Sequence, residues 1–231
     1  DGYTDFAAAP MNFMSGTVHA VTFATKRPGG FREDDKEALI RVLAPLSRVG
    51  EILALLRTAT NLLNTYVGND AGERILAGQI QRGDTQSLAA VIWFSDLRGF
   101  TSMSSTLEPR EIIAVLNDVF DCQVPHIDTH GGQVLKFIGD GMLAIFPVKD
   151  DPNGACARAI AAARASFLSL QALNERRAAT TAPPVRFGVA LHIGEIAYGN
   201  IGGLGRLDFT CIGPAVNLAA RLETLTGKLG R

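Results

Sequence analysis

The sequence predicts a layered α+β sandwich that follows a long helix. From about residue 89 onward, short apolar runs typical of strands alternate with segments of helical periodicity. Before that point, residues 34–66 carry apolar side chains at helical spacings over a length unusual for a globular helix. The chain has 231 residues, of which 47% are hydrophobic, so it can bury a sizeable core.

The N-terminal third is predicted to be mostly helical. A strand is expected at residues 16–23, followed by a turn at residues 27–30, which read RPGG. The helix over residues 34–66 is long enough to serve as a connector or as the seam of a dimer. A second, shorter helix is expected over residues 71–81.

The remaining elements follow from local patterns. A buried strand ends at Ser95 and Asp96, and Pro109 begins a helix, where its missing N–H costs nothing. Residues 135–146 (LKFIGDGMLAIF) place Asp140 between two apolar runs, a strong signal for a hairpin. The other expected elements are a helix over 152–177, strands over 185–190, 193–201 and 207–212, and a helix over 213–225.

Composition excludes several classes of function. The net charge of −1 gives no basic surface for nucleic acid, so a small molecule or a protein is the expected partner. Cys122, Cys156 and Cys211 are widely spaced, which indicates neither a zinc site nor disulfides and favours the cytoplasm. No apolar run is long enough to span a membrane, and no signal peptide is evident. Because the chain begins at Asp1 without Met, we expect it to be a fragment.

Two aspartates follow strand-like runs. Strands of one sheet can bring Asp96 and Asp140 together, and converging carboxylates repel unless they share a proton or bind a cation. Such a pair suits Mg²⁺, which takes substrate phosphates as further ligands and therefore predicts a nucleoside triphosphate. Backbone N–H groups at Gly99, Phe100 and Thr101 precede a helix and favour phosphate. The alternative is two unrelated turn residues.

Four further polar residues are candidates. Asn217 and Arg221 are four apart in a helical pattern, so they project from one face, either toward a phosphate or simply into solvent. Lys136 lies in an apolar strand and needs a partner or a route to water. Thr210 is an ordinary strand residue by propensity.

Four motifs in order carry a resemblance to a known family: FSDLRGFT, KFIGDGMLAIF, GEIAYGNIG and DFTCIGPAVNLAARLE. Together they resemble the catalytic domain of class III nucleotidyl cyclases, over residues 89–231. The resemblance implies a ferredoxin-like βαββαβ-derived sandwich and an adenylate cyclase that makes cyclic AMP and pyrophosphate from ATP. A catalytically silent nucleotide-binding module is the alternative, but Asp96, Asp140, Asn217 and Arg221 are all present.

The resemblance also implies roles for these residues. Asp96 and Asp140 fall on the aspartates that hold two Mg²⁺ or Mn²⁺ ions, and Lys136 and Thr210 on the pair that recognises adenine. The remaining two catalytic positions of the family, which orient the ribose and stabilise the pentacoordinate phosphorus, are occupied by Asn217 and Arg221.

In this family the site is shared between two chains arranged head to tail. A homodimer with two equivalent sites is therefore expected. Pro214 departs from the family pattern, but proline begins a helix without harm. The family's phosphate-binding lysine would follow Arg231, so the catalytic domain is expected to be C-terminally incomplete.

The N-terminal segment shows a weaker resemblance. Residues 16–52 look like the closing strand and final helix of a GAF-type sensory domain. This implies the end of a sensory domain at 1–33 and a helical connector at 34–88, which would pass a signal from upstream. An extra strand and a coupling helix without sensory origin are the alternative.

Overall fold

The computed structural model describes residues 2–228, with the side chain of Lys228 left out. Its contacts divide the chain into two units, one ending at Leu62 and the other beginning at Leu63. The domain limits predicted above, 1–33, 34–88 and 89–231, stay predictions.

The first unit contains an antiparallel hairpin and most of a long helix. Strands β1 (Asp5–Asn12) and β2 (Val18–Thr25) pair with each other, and helix α1 (Glu33–Val67) follows. The buried carboxylate of Glu51 on α1 accepts hydrogen bonds from the backbone N–H groups of Met14 and Ser15 in the hairpin turn. The sequence predicted α1 to within a residue at each end.

The sequence missed one element in this region and placed the end of another too late. Strand β1 was missed because DFAAAPMN contains three alanines and a proline, which have low strand propensity. The second helix, predicted over 71–81, is α2 (Asn69–Leu76) and belongs to the second unit. It ends early because Gly78 has a φ of 89°, a left-handed conformation that terminates helices.

The second unit is built on a five-stranded sheet in which every neighbouring pair is antiparallel, in the order β4-β5-β3-β6-β7. Helices pack against both faces, which confirms the α+β class. Its elements after α2 are β3 (Thr85–Leu97), α3 (Phe100–Ser104), α4 (Pro109–Asp121), α5 (Val124–Thr129), β4 (Gln133–Ile138), β5 (Gly141–Pro147), α6 (Pro152–Ala179), β6 (Phe187–Gly203), β7 (Arg206–Ile212) and α7 (Pro214–Lys228).

The two strands predicted over 185–190 and 193–201 are the single strand β6. Within this strand, a side chain at Gly194 would place Cβ 2.7 Å from the Cβ of Ala215 on α7. The glycine therefore allows close packing of α7 on the sheet. Helices α3 and α5 were not predicted because each is only one or two turns long.

Alternation along the strands sends side chains to both faces of the sheet, where they join hydrophobic clusters formed with the helices. On one face, Ile92 and Ile145 pack with small residues of α2 and α7. On the other, Trp93 and Phe146 are fully buried against α6. That surface of α6 consists of Ala155, Ala159 and Ala162, whose small side chains let the helix lie close to the sheet.

Candidate active site

Asp96 and Asp140 lie together at one end of the sheet. Asp96 on β3 pairs in register with Gly141, the first residue of β5, and the N–H of Leu97 donates to the carbonyl of Asp140 at 3.3 Å. The two carboxyl groups contact each other. Burial, followed by the negative charge of Asp140 and then of Glu223, raises the pKa of Asp96 to about 6.

The hairpin turn is formed by Gly139 and Asp140. Gly139 has a φ of 63°, so the glycine before the aspartate supplies the left-handed residue of this tight turn. Gly141 is required for a different reason, since a Cβ there would lie 2.5 Å from the carbonyl oxygen of Ser95 and 3.2 Å from Oδ1 of Asp96. Both glycines thus allow Asp140 to approach Asp96.

This pair fits a hard divalent cation. Carboxylate oxygens are the ligands that Mg²⁺ and Mn²⁺ prefer, and the repulsion between two adjacent carboxylates is relieved by a cation. Within residues 2–228, no group of three or more His, Cys, Asp or Glu side chains is placed to hold a metal. The pair therefore suits an ion whose other ligands are water and substrate phosphates, as is usual for Mg²⁺.

The loop after β3 is tied to α7. Gly99 has a φ of 76° and precedes α3, which begins at Phe100 and includes Thr101. The guanidinium of Arg98 forms an ion pair with the buried carboxylate of Glu223 on α7, at 2.7 Å, and also donates to the hydroxyl of Thr226. This ion pair fixes the loop against the helix.

Helix α7 exposes its two candidate residues. Ala215 and Ala219 are buried against the sheet, whereas Asn217 and Arg221 lie on the exposed side of the helix. Leu218, between them, is 43% exposed. The exposed side of α7 thus combines polar and apolar groups.

Lys136 and Thr210 lie on the two edge strands, β4 and β7. A bulge in β4 falls between Val134 and Lys136, and the Lys136 ammonium forms an ion pair with Asp208 on β7. Burial raises the pKa of the Cys211 thiol to about 11, although the nearby charge of Lys136 acts in the opposite direction. Thr210 is buried at 7% exposure.

A cavity of about 510 Å³ opens beside this ion pair. Lys136 and Asp208 line it, together with the rings of Tyr198 and Phe209, which meet edge to face at 4.9 Å between centroids. Residues 64–71, at the junction of α1 and α2, also line it. The cavity therefore has an aromatic floor and charged groups at its side.

By position the candidates form three groups: the two aspartates at the strand ends, Lys136 and Thr210 on the edge strands, and the two residues on α7. Among the described residues, a contact within a group is seen for the two aspartates alone. Within the described part of the chain, no hydrogen bond or ion pair connects the aspartates to either of the other groups. Sequence reasoning missed Asp208, Arg98 and Glu223. Only Asp208 had a usable signal, because it is two residues from Thr210 and strand alternation places both on one face.

Comparison with known proteins identifies the family. Residues 84–230 match the family model described as the adenylate and guanylate cyclase catalytic domain. The chain belongs to this family. The resemblance to class III nucleotidyl cyclases is thereby confirmed.

Among the relatives of this cyclase domain is the adenylate cyclase of Anabaena cylindrica, 39% identical over 158 residues, which are 65% of this chain and 30% of that protein. The guanylyl cyclase Cya2 is 34% identical with a TM-score of 0.56, covering 61% of this chain and 72% of that one. A bacterial light-regulated adenylyl cyclase is 27% identical with a TM-score of 0.67, covering 81% and 54%. The chain thus spans less than a third of the Anabaena protein.

No helix in residues 2–228 combines the length and the apolar character needed to cross a bilayer.

Proposed function

We propose that this cyclase domain converts ATP to 3′,5′-cyclic AMP and pyrophosphate. The contact between Asp96 and Asp140 carries the proposal, since it creates a cation site at the strand ends. ATP is preferred over GTP because Lys136 and Thr210 match the adenine-recognising pair, and because the Anabaena relative is an adenylate cyclase. Because the similar protein Cya2 is a guanylyl cyclase, the test below compares ATP with GTP as substrates.

Asp96 and Asp140 would hold two Mg²⁺ or Mn²⁺ ions. When bound, such ions lower the pKa of the ribose 3′-hydroxyl and neutralise the triphosphate. In the reaction, the 3′-oxygen forms a bond to the α-phosphorus while the bond from that phosphorus to the bridging oxygen breaks. The electron pair leaves with pyrophosphate, and the hydroxyl proton passes to solvent.

The other candidates bind and orient the substrate. Lys136 donates to N1 of adenine, and the Thr210 hydroxyl contacts the 6-amino group. Asn217 orients the ribose, and the planar guanidinium of Arg221 stabilises the charge that develops on the phosphoryl oxygens.

Backbone N–H groups at Gly99, Phe100 and Thr101 bind the triphosphate. These three residues directly follow the β3 strand that carries Asp96. The phosphates and the cations would therefore meet at the same end of the sheet.

We further propose that two copies assemble head to tail and share two sites. Among the described residues, no hydrogen bond or ion pair joins the aspartates to Lys136, Asn217 or Arg221, and this supports an arrangement in which the two sets come from different chains. Helix α1 offers a surface for the second copy. Apolar side chains recur along it at alternating spacings of three and four residues, the pattern of a coiled coil: Leu39, Val42, Leu46, Val49, Leu53 and Leu56. Of these, Val49 is 54% and Leu53 61% exposed.

An upstream sensory domain that ends within residues 1–33 would act through a connector at 34–88. The light-regulated adenylyl cyclase supports the connector, because its structure matches 81% of this chain. The cyclase family model alone matches only 147 of the 231 residues, so the structural match extends beyond the catalytic domain. We place the protein in the cytoplasm, where ATP is available.

The test is to measure cyclic AMP and cyclic GMP formed from ATP and GTP with Mn²⁺, for this chain and for a version that continues past Arg231. Cyclic AMP from ATP, lost in Asp140→Ala, supports the proposal. Folded dimers of both versions that bind ATP but form no product would overturn it in favour of the silent nucleotide-binding module.

A further inference from the structure

One ion pair joins the two edges of the sheet. Strands β4 and β7 are the outermost of the five, yet the Lys136 ammonium on β4 contacts the Asp208 carboxylate on β7. The sheet must therefore curl around the face that carries the aromatic floor of the cavity, and the bulge before Lys136 assists this bend. Asp208 consequently lies beside the residue assigned above to adenine.

This pair contributes little to folding stability. The Lys136 side chain is 28% exposed and the Asp208 side chain 59% exposed, so water screens their attraction. Exposed pairs of this kind rarely stabilise a fold measurably. The position of Asp208, at the wall of the cavity, suggests a role in what the cavity binds.

We propose that Asp208 is a positioning residue for Lys136 and that its carboxylate makes the cavity prefer adenine to guanine. The inference rests on the proposed function and deepens it. A free lysine side chain has several rotatable bonds and loses this freedom when it binds a base. Asp208 orders the ammonium in advance, so the donor is already in place for N1 of adenine.

The sign of the charge supplies the selectivity. Adenine presents an acceptor at N1 and a donor at its 6-amino group, whereas guanine presents a donor at N1 and an acceptor at O6. A carboxylate only accepts hydrogen bonds, so it favours the amino group of adenine and repels O6 of guanine. The Thr210 hydroxyl both donates and accepts, and therefore fits either base. Selection in this chain thus requires a group other than Thr210.

The experiment compares kcat and KM for ATP and GTP in the wild-type protein and in Asp208→Asn, which keeps the size of the side chain and removes its charge. The ratio of kcat/KM for ATP to that for GTP is expected to fall about tenfold, mainly through a higher KM for ATP. The kcat for ATP and the free energy of unfolding are expected to stay unchanged. Asp208→Glu should restore most of the preference.

Glu33→Gln is the matched control. It removes the same single charge and breaks another exposed lysine pair, with Lys36, on α1. This variant should retain the wild-type ratio.

An unchanged ratio of kcat/KM for ATP to that for GTP in Asp208→Asn would overturn the proposal. A lower KM for ATP in this variant would also overturn it, because it would mean that Asp208 competes with the substrate for Lys136. Titration with 3′-deoxy-ATP and 3′-deoxy-GTP, which lack the attacking hydroxyl, measures the same preference without turnover. A wild-type protein that binds the adenine analogue but forms no cyclic product contradicts the proposed activity alone. Equal binding of both analogues by the wild-type protein contradicts the role of Asp208.

Discussion

Two inactive variants should restore each other if the active site is shared between chains. Asp140→Ala removes a carboxylate at the tip of the β4–β5 hairpin, and Arg221→Ala removes an exposed side chain of α7. Neither change should disturb folding, because Gly139 supplies the strained residue of the turn and Arg221 packs against no core. Each variant alone should lose activity by about 100-fold or more.

The expected recovery follows from counting sites. Random pairing of equal amounts makes half of the dimers mixed, and each mixed dimer has one site with both defects and one site with none. Half of the dimers with half of their sites intact gives roughly a quarter of the wild-type activity. A chain carrying both substitutions, mixed with wild-type protein, should also give about a quarter, because its mixed dimers contain no intact site.

The assay is cyclic AMP formation by the two chains mixed in equal amounts without separating the three kinds of dimer; different affinity tags on the two chains serve only to show that mixed dimers have formed. A site complete within one chain predicts a different result: the two single variants together stay inactive, and the double variant with wild-type protein retains about half of the activity. That outcome, with mixed dimers demonstrated, would refute the shared site.

Three further results are expected. With a chelator present, Asp96→Asn should be more stable than the wild type at pH 7 by up to about 1 kcal/mol, a figure discounted for the partial exposure of Asp96. The reason is that the raised pKa of Asp96 makes its charged form unfavourable in the folded protein. In urea titrations the advantage should therefore disappear as the pH falls from about 6 to below 3.8, because the wild-type carboxyl group becomes protonated. Arg98→Met should lose about 3 kcal/mol in urea unfolding by leaving the buried Glu223 carboxylate without its partner, and adding Glu223→Leu should recover most of this loss. Val49→Lys should weaken the dimer in sedimentation experiments without lowering the stability of the chain, and unchanged dimerisation would exclude α1 as a contact.

The sequence predicted those features that depend on residues close together in the chain. The hairpin with Asp140 at its tip could be predicted because the turn depends on a few adjacent residues. The ion pair of Lys136 with Asp208 could not, because it depends on the curling of a sheet whose edges are 72 residues apart in sequence. For the same reason the sequence did not show why residue 194 is a glycine, since the space there is limited by Ala215 on a helix distant in sequence.

The ion pair between Arg98 and Glu223 has a consequence for how the two sites of the proposed dimer communicate. Within one chain it joins the loop beside Asp96 to α7. In the proposed dimer that loop would serve one site, and Arg221 on α7 would serve the other. Substrate that draws the loop inward at the first site would pull on the helix at the second. Each protomer would therefore couple the two pockets mechanically, and nucleotide bound in one would alter the affinity of the other for nucleotide.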